Sequence, residues 1–251
     1  MLLAALALPV RSAEGQGPLE ALRRGVRAQQ SFQQGREAYD RGDYQAARQR
    51  FAETVAIAPD FDEAQALLAW SLYHLGDFRA ATIAFKAVAS RQPGWDGPLD
   101  GLGWSRLRLG RHHLAIEAFS AALERSPDSV DALIGLGTAH FELARYQEAL
   151  APLRRAVGAL TTLVGPLPVH AHVARANLAW SLYYVGRYQD AVAVFRQALK
   201  DTPASHGLRN GLGWAALRMG DRAAARLEFQ EALRLDPQSG DAREGLRQAT
   251  P

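Results

Sequence analysis

The sequence contains no cysteine, which removes disulfide scaffolds, thiolate zinc sites and thiol nucleophiles from consideration. Lysine is almost missing as well, since Lys86 and Lys200 are the only two among 29 basic residues and the rest are arginine. Neither sign of charge dominates: 29 basic against 26 acidic side chains leave +3 over 251 residues. That is a solvated surface rather than a basic patch, and no nucleic-acid partner is expected. No apolar run approaches the roughly eighteen residues of a spanning helix, so no transmembrane span is expected. The 48% apolar content lies near the globular average and argues against disorder. Alanine is what the chain has most of, nearly a fifth of all residues, and together with arginine it favours helix almost everywhere.

Residues 2 to 10 read LLAALALPV and are followed by Arg11-Ser12-Ala13, a pattern like the apolar core and cleavage region of a secretory signal peptide. No basic residue precedes the run, and Arg11 occupies the third position before a cut after Ala13, where a small residue is preferred. A short apolar segment that caps the fold is the competing reading of residues 1–13. Export to the periplasm or envelope is the expectation, with a cytoplasmic location if this segment is not a signal.

Internal repetition organises the rest. Gly42, Gly76, Gly110, Ala144, Gly186 and Gly220 follow one another at intervals of 34, 34, 34, 42 and 34 residues. An Ala-x-x-x-Phe pair follows each turn: Ala47/Phe51, Ala81/Phe85, Ala115/Phe119, Ala149/Leu153, Ala191/Phe195 and Ala225/Phe229. Five of the six units close with a proline eight residues later, at Pro59, Pro93, Pro127, Pro203 and Pro237. The physical reasons are plain. Small alanines let two helices approach, the phenylalanine four residues on shares their face, and proline cannot continue a helix without losing a hydrogen bond.

This pattern resembles the tetratricopeptide repeat (TPR), a 34-residue helix-turn-helix with the same Ala-x-x-x-Phe and closing proline. The resemblance implies an all-α, right-handed α-solenoid of about six TPR units, at 28–61, 62–95, 96–129, 130–171 with an insertion, 172–205 and 206–239. Residues 14–27 are expected to form an N-terminal capping helix, with Leu19, Leu22 and Val26 covering the front. Residues 240–251 are expected to cap the far end through Ala242 and Leu246, because a repeat stack needs polar-faced terminal helices.

A longer symmetry overlies the short one. LAWSLYHLG at 68–76 returns as LAWSLYYVG at 178–186, and GLGW at 101–104 returns at 211–214, both displaced by 110 residues. The first turn maps onto the fourth at a displacement of 102, so an insertion of eight residues separates two copies of a three-repeat block. That insertion, carrying Pro166 and Pro168, is read as a loop.

The resemblance further implies that positions 2, 5, 9, 12 and 13 of each unit face an inner wall. Position 9 holds Arg36, Trp70, Trp104, Thr138, Trp180 and Trp214, so four of the five tryptophans share one register position. Position 12 adds Tyr39, Tyr73, Phe141 and Tyr183; position 13 adds Asp40, His74, Arg108, Glu142, Tyr184 and Arg218. Two readings fit. The tryptophans either lie flat between units and stiffen the stack, or line a groove, where four half-open rings would offer about 400 Å² of aromatic surface. The four-residue spacings Trp104/Arg108 and Trp214/Arg218 are expected to set an arginine beside each ring. The groove candidates are therefore Arg36, Tyr39, Trp70, Tyr73, His74, Trp104, Arg108, Phe141, Trp180, Tyr183, Tyr184, Trp214 and Arg218. The family's carboxylate-clamping lysine and asparagine are not matched at these inner positions.

Chemistry finds no support. GLGWAA at 211–216 fits G-x-G-x-x-A, but that fingerprint needs a preceding strand and a turn, whereas here it falls inside a helix. The seven histidines form no H-E-x-x-H motif, and His170 and His172 would point to different sides of a helix. The expectation is a non-enzymatic scaffold with no cofactor and no metal, holding an extended protein or peptide segment along the aromatic groove. The alternative is a glycan-handling module of an envelope polysaccharide system.

Overall fold

Each helical hairpin begins at its turn. Gly42, Gly76, Gly110, Gly186 and Gly220 all have φ between 70 and 84°, the left-handed conformation that ends a helix and that glycine adopts without a Cβ clash. The aspartate that follows three of these glycines caps the next helix: the side chains of Asp43, Asp77 and Asp221 accept hydrogen bonds from the backbone N–H of Ala46, Ala80 and Ala224 at 2.9–3.0 Å. On the other hairpin arm Ser129, Ser205 and Ser239 cap in the same way. Glycine stops one helix and the next residues start another, which is why a two-letter Gly-Asp signal recurs.

A computed structural model describes residues 17–162 and 170–250; all regular structure among them is helical, and they divide into two units at Arg111/His112. The first unit contains α1 (Pro18–Asp40), α2 (Tyr44–Ile57), α3 (Asp62–His74), α4 (Phe78–Arg91) and α5 (Gly97–Arg108). The second contains α6 (His112–Arg125), α7 (Val130–Glu142), α8 (Tyr146–Thr162), α9 (Ala171–Tyr184), α10 (Tyr188–Asp201), α11 (His206–Arg218), α12 (Arg222–Leu235) and α13 (Gly240–Ala249). Within each unit every helix packs on its sequence neighbours, as in an α-solenoid of helical repeats.

The Ala-x-x-x-Phe pairs do what their spacing implies. All six alanines and all six partners, from Ala47/Phe51 to Ala225/Phe229, have no solvent exposure. The rings penetrate so far that the next helix must give way. A Cβ built on Gly211 would lie 2.4 Å from Cζ of Phe195, so the glycines of GLGWAA belong to helix packing, and the motif sits within α11. Proline follows two residues after the ends of α2, α4, α6, α10 and α12.

The two ends are built differently. At the carboxyl end α13 buries Ala242 and packs Leu246 against Phe229 and its neighbours. At the amino end the described residues contain no separate cap: residues 18–27 run without a break into the first repeat helix as α1. Leu19, Leu22 and Val26, expected to cover the front, are instead exposed. The reason is the turn that is missing there, because nothing between Pro18 and Asp40 reverses the chain. The signal reading at 1–13 and both prolines of the insertion lie outside the described residues.

Candidate functional site

In the second unit α9 and α11 carry Trp180, Tyr183, Tyr184, Trp214 and Arg218, and α7 carries Phe141. Tyr184 stacks on Tyr146 (centroids 4.3 Å apart, planes at 18°) and, less closely, on Trp180 (5.9 Å, 27°). Trp180 in turn meets Phe195 edge-on at 5.2 Å, so a ladder of rings rises from the hydrophobic core to the surface. Its most exposed member, Tyr184, is 51% exposed. Because the ladder engages the faces of its rings, it offers edges and hydroxyls rather than open faces.

The arginine does not simply lie over the tryptophan four residues before it. Arg218 Nε donates to the Tyr183 hydroxyl at 3.4 Å, tying α11 to α9. Trp214 packs edge-on against Phe229 at 5.2 Å and donates its indole N–H to Asp241 Oδ1 at 3.2 Å; the buried Asn210 donates to the other oxygen of the same carboxylate. The Tyr184 hydroxyl is held above the usual tyrosine range by burial first, then by Tyr146, Tyr183 and Asp241. It therefore stays protonated at neutral pH and can donate or accept.

The first unit repeats this plan from α1, α3 and α5. Tyr44 stacks on His74 (4.2 Å, 12°), and His74 lies 6.2 Å from Trp70 at 33°; Trp70 meets Phe85 edge-on at 5.0 Å. His74 Nε2 and the Tyr39 hydroxyl are joined by a 3.1 Å hydrogen bond. Burial pushes Tyr39 up to about 12, with Tyr44 and Asp40 adding to the shift, and burial pulls His74 below its ordinary value. Arg108 hydrogen-bonds Tyr73 and lies over the Phe78 ring at 4.8 Å. Arg36 faces Glu63 at 3.7 Å with both side chains half exposed, a geometry worth little in water.

Two predicted rings are not open, and the first of them, Tyr73, is 6% exposed. Trp104 is 3% exposed, so of the two readings of position 9 the packed one holds there. Its neighbours on α5, including Leu102, Gly103 and Ser105, are buried with it. Conversely, Tyr44 and Tyr146, which complete the two ladders, begin α2 and α8 and lie outside the inner positions of the register. The duplication did contain the signal, for the two tyrosines are 102 residues apart like the turns beside them. Asp241 on α13, which holds Trp214, was hidden because a cap was expected only to cover apolar surface.

Two sequence profiles, both described as tetratricopeptide repeat, match the chain, one over residues 101–162 and 176–246 and the other over 38–99. No curated protein matches its sequence. Similar solved structures include a chain of the APC/C hetero-tetramer Cut9-Hcn1, with a TM-score of 0.75 and 20% identity over 92% of this chain; the chain spans only 44% of that one. Functionally characterised PilF of Pseudomonas aeruginosa has a TM-score of 0.74 at 16% identity, covering 88% of this chain and 97% of its own. YrrB, a TPR protein with an unusual peptide-binding site, has a TM-score of 0.66 at 17% identity, covering 78% and 97%. At such identities the likeness concerns the fold.

Proposed function

Because the chain belongs to the tetratricopeptide repeat family, whose fold supports protein–protein interaction, we propose that it is a non-enzymatic scaffold that seats an extended peptide segment of a partner on its aromatic ladders. The observation that carries this reading is the second-unit ladder. Tyr184 is half open, yet it is held between Tyr146 and Trp180 and beside the Arg218–Tyr183 hydrogen bond. Side chains already ordered in the free protein lose little entropy on binding, and exposed edges, hydroxyls and a guanidinium suit the alternating amides and side chains of a peptide. The glycan alternative asks for open ring faces on which sugars stack, and here the faces are engaged with one another. Export through residues 1–13 belongs to the same proposal and is checked by amino-terminal sequencing of the protein isolated from its native host.

Selection of random displayed peptides on the full chain tests the ladder. Selected peptides should lose about tenfold in affinity, or 1.4 kcal/mol, on Tyr184→Ala or Arg218→Ala, with the circular-dichroism melt nearly unchanged. Equal affinity for the variants, or tryptophan fluorescence that answers to polysaccharides and not to peptides, overturns the reading.

A further inference from the structure

The nine most exposed large apolar side chains among the described residues are mostly scattered singly, but Leu19, Leu22 and Val26 cluster within eight residues of α1, at 72%, 65% and 49% exposure. Their spacing of three and four sets them on one stripe. The residues that α1 buries, Ala28, Ser31, Phe32, Gly35 and Ala38, lie on the opposite side, so over residues 19–26 α1 carries an apolar stripe away from its packed face. The antiparallel α2 does not reach the bare end. Arg24 Nη2 donates to the carbonyl of Ile57, the last residue of α2, at 3.1 Å, and Pro18–Arg23 run beyond that point.

Charge completes the pattern. Arg23 and Arg27 are exposed, one turn apart, along one flank of the stripe. Glu20 is the only acid in the first seventeen residues of α1; across on α2, Glu53 is held by Ser31 and Arg50 and also feels Arg27. The stripe is apolar, exposed and flanked by cations along its length. It matches a flat interface in which leucines enter the acyl boundary while arginine stems reach up to anionic headgroups. No described helix is long and apolar enough to cross a membrane, so this one would lie along the surface.

We propose that the overhanging amino-terminal part of α1 docks on an anionic phospholipid surface through Leu19, Leu22 and Val26, with Arg23 and Arg27 on the headgroups. This is independent of peptide binding at the ladders, and either can fail alone. The full chain should float with vesicles of phosphatidylcholine plus phosphatidylglycerol, float poorly with phosphatidylcholine alone, and be released by salt. Replacing Arg23 and Arg27 by Gln should weaken vesicle affinity about thirtyfold, at roughly 1 kcal/mol per arginine. Leu19→Ser with Leu22→Ser should reduce flotation to the level seen without phosphatidylglycerol. All four positions are exposed, and an unchanged circular-dichroism melt shows that the variants fold. Equal binding to neutral vesicles, or flotation indifferent to these substitutions, overturns the proposal. So does light scattering that shows a dimer dissolved by the leucine changes with no vesicle binding, since a second copy would then be the occupant.

Discussion

The two aromatic ladders are built from the same duplicated block and differ at a linked pair of positions. Tyr44, His74 and Trp70 in the first unit correspond to Tyr146, Tyr184 and Trp180 in the second. Where the first has Tyr39 bonded to His74, the second has Phe141 and Tyr184. Losing the hydroxyl at one position and the imidazole at the other removes both halves of a half-buried polar contact, so neither partner is left unsatisfied. The outcome is one ladder whose His74 is tied by a hydrogen bond and another whose Tyr184 carries a half-exposed phenol at the equivalent position. The same scaffold thus offers two chemically distinct surfaces, and stacking geometry survives because imidazole and phenol are both flat.

The sharpest way to break the comparison is at position 9. Trp104 is buried and Trp214 partly exposed, although both occur in GLGW. Trp104→Ala should cost about 3–5 kcal/mol, as for a buried aromatic, and Trp214→Ala distinctly less. Equal losses in urea titrations would mean that the two copies are energetically alike. Next comes the close approach of helix to ring. Gly211→Ala should cost about 1–3 kcal/mol by overpacking, and Gly101→Ala a similar amount, since its Cβ would meet Phe85 at 2.3 Å. A neutral result in thermal melts would show that these phenylalanines can move aside.

A smaller effect separates the fourth turn from its relatives. Ala144 has φ 55° where the other five turns have glycine, and an L-residue there costs roughly 1–2 kcal/mol. Ala144→Gly should therefore raise stability by about 1 kcal/mol, the gain being offset in part by unfolded-chain entropy. The smallest effect concerns pH. His74 is shifted below its ordinary value by burial, so the unfolded chain takes up a proton first as pH falls. Stability is then full above about pH 6.5 and declines as pH drops through the folded value. The double change Tyr39→Phe, His74→Tyr, which copies the second ladder into the first, should flatten that decline in melts recorded between pH 7 and 5.

Much of the fold was legible because it is local. A turn that recurs at 34 residues in all but one interval, and an alanine and an aromatic on one helical face, are decided within a few residues, and repetition made them unmistakable. The site was less so. Trp180 meets Tyr184 in one ladder and Trp70 meets His74 in the other, but register could not tell buried Trp104 from its partly exposed counterpart Trp214. Nor could it bring in Tyr44, Tyr146 and Asp241 from other helices.

The sequence by itself therefore determined the repeat, its two-copy symmetry and the residues that seal each hairpin, since all of these follow from spacing along a helix. Tertiary packing alone decided which rings stay in water and where the arginines turn. It also left the front of α1 bare. Exposure depends on what the neighbouring helices leave uncovered, and no periodicity within one helix can report that.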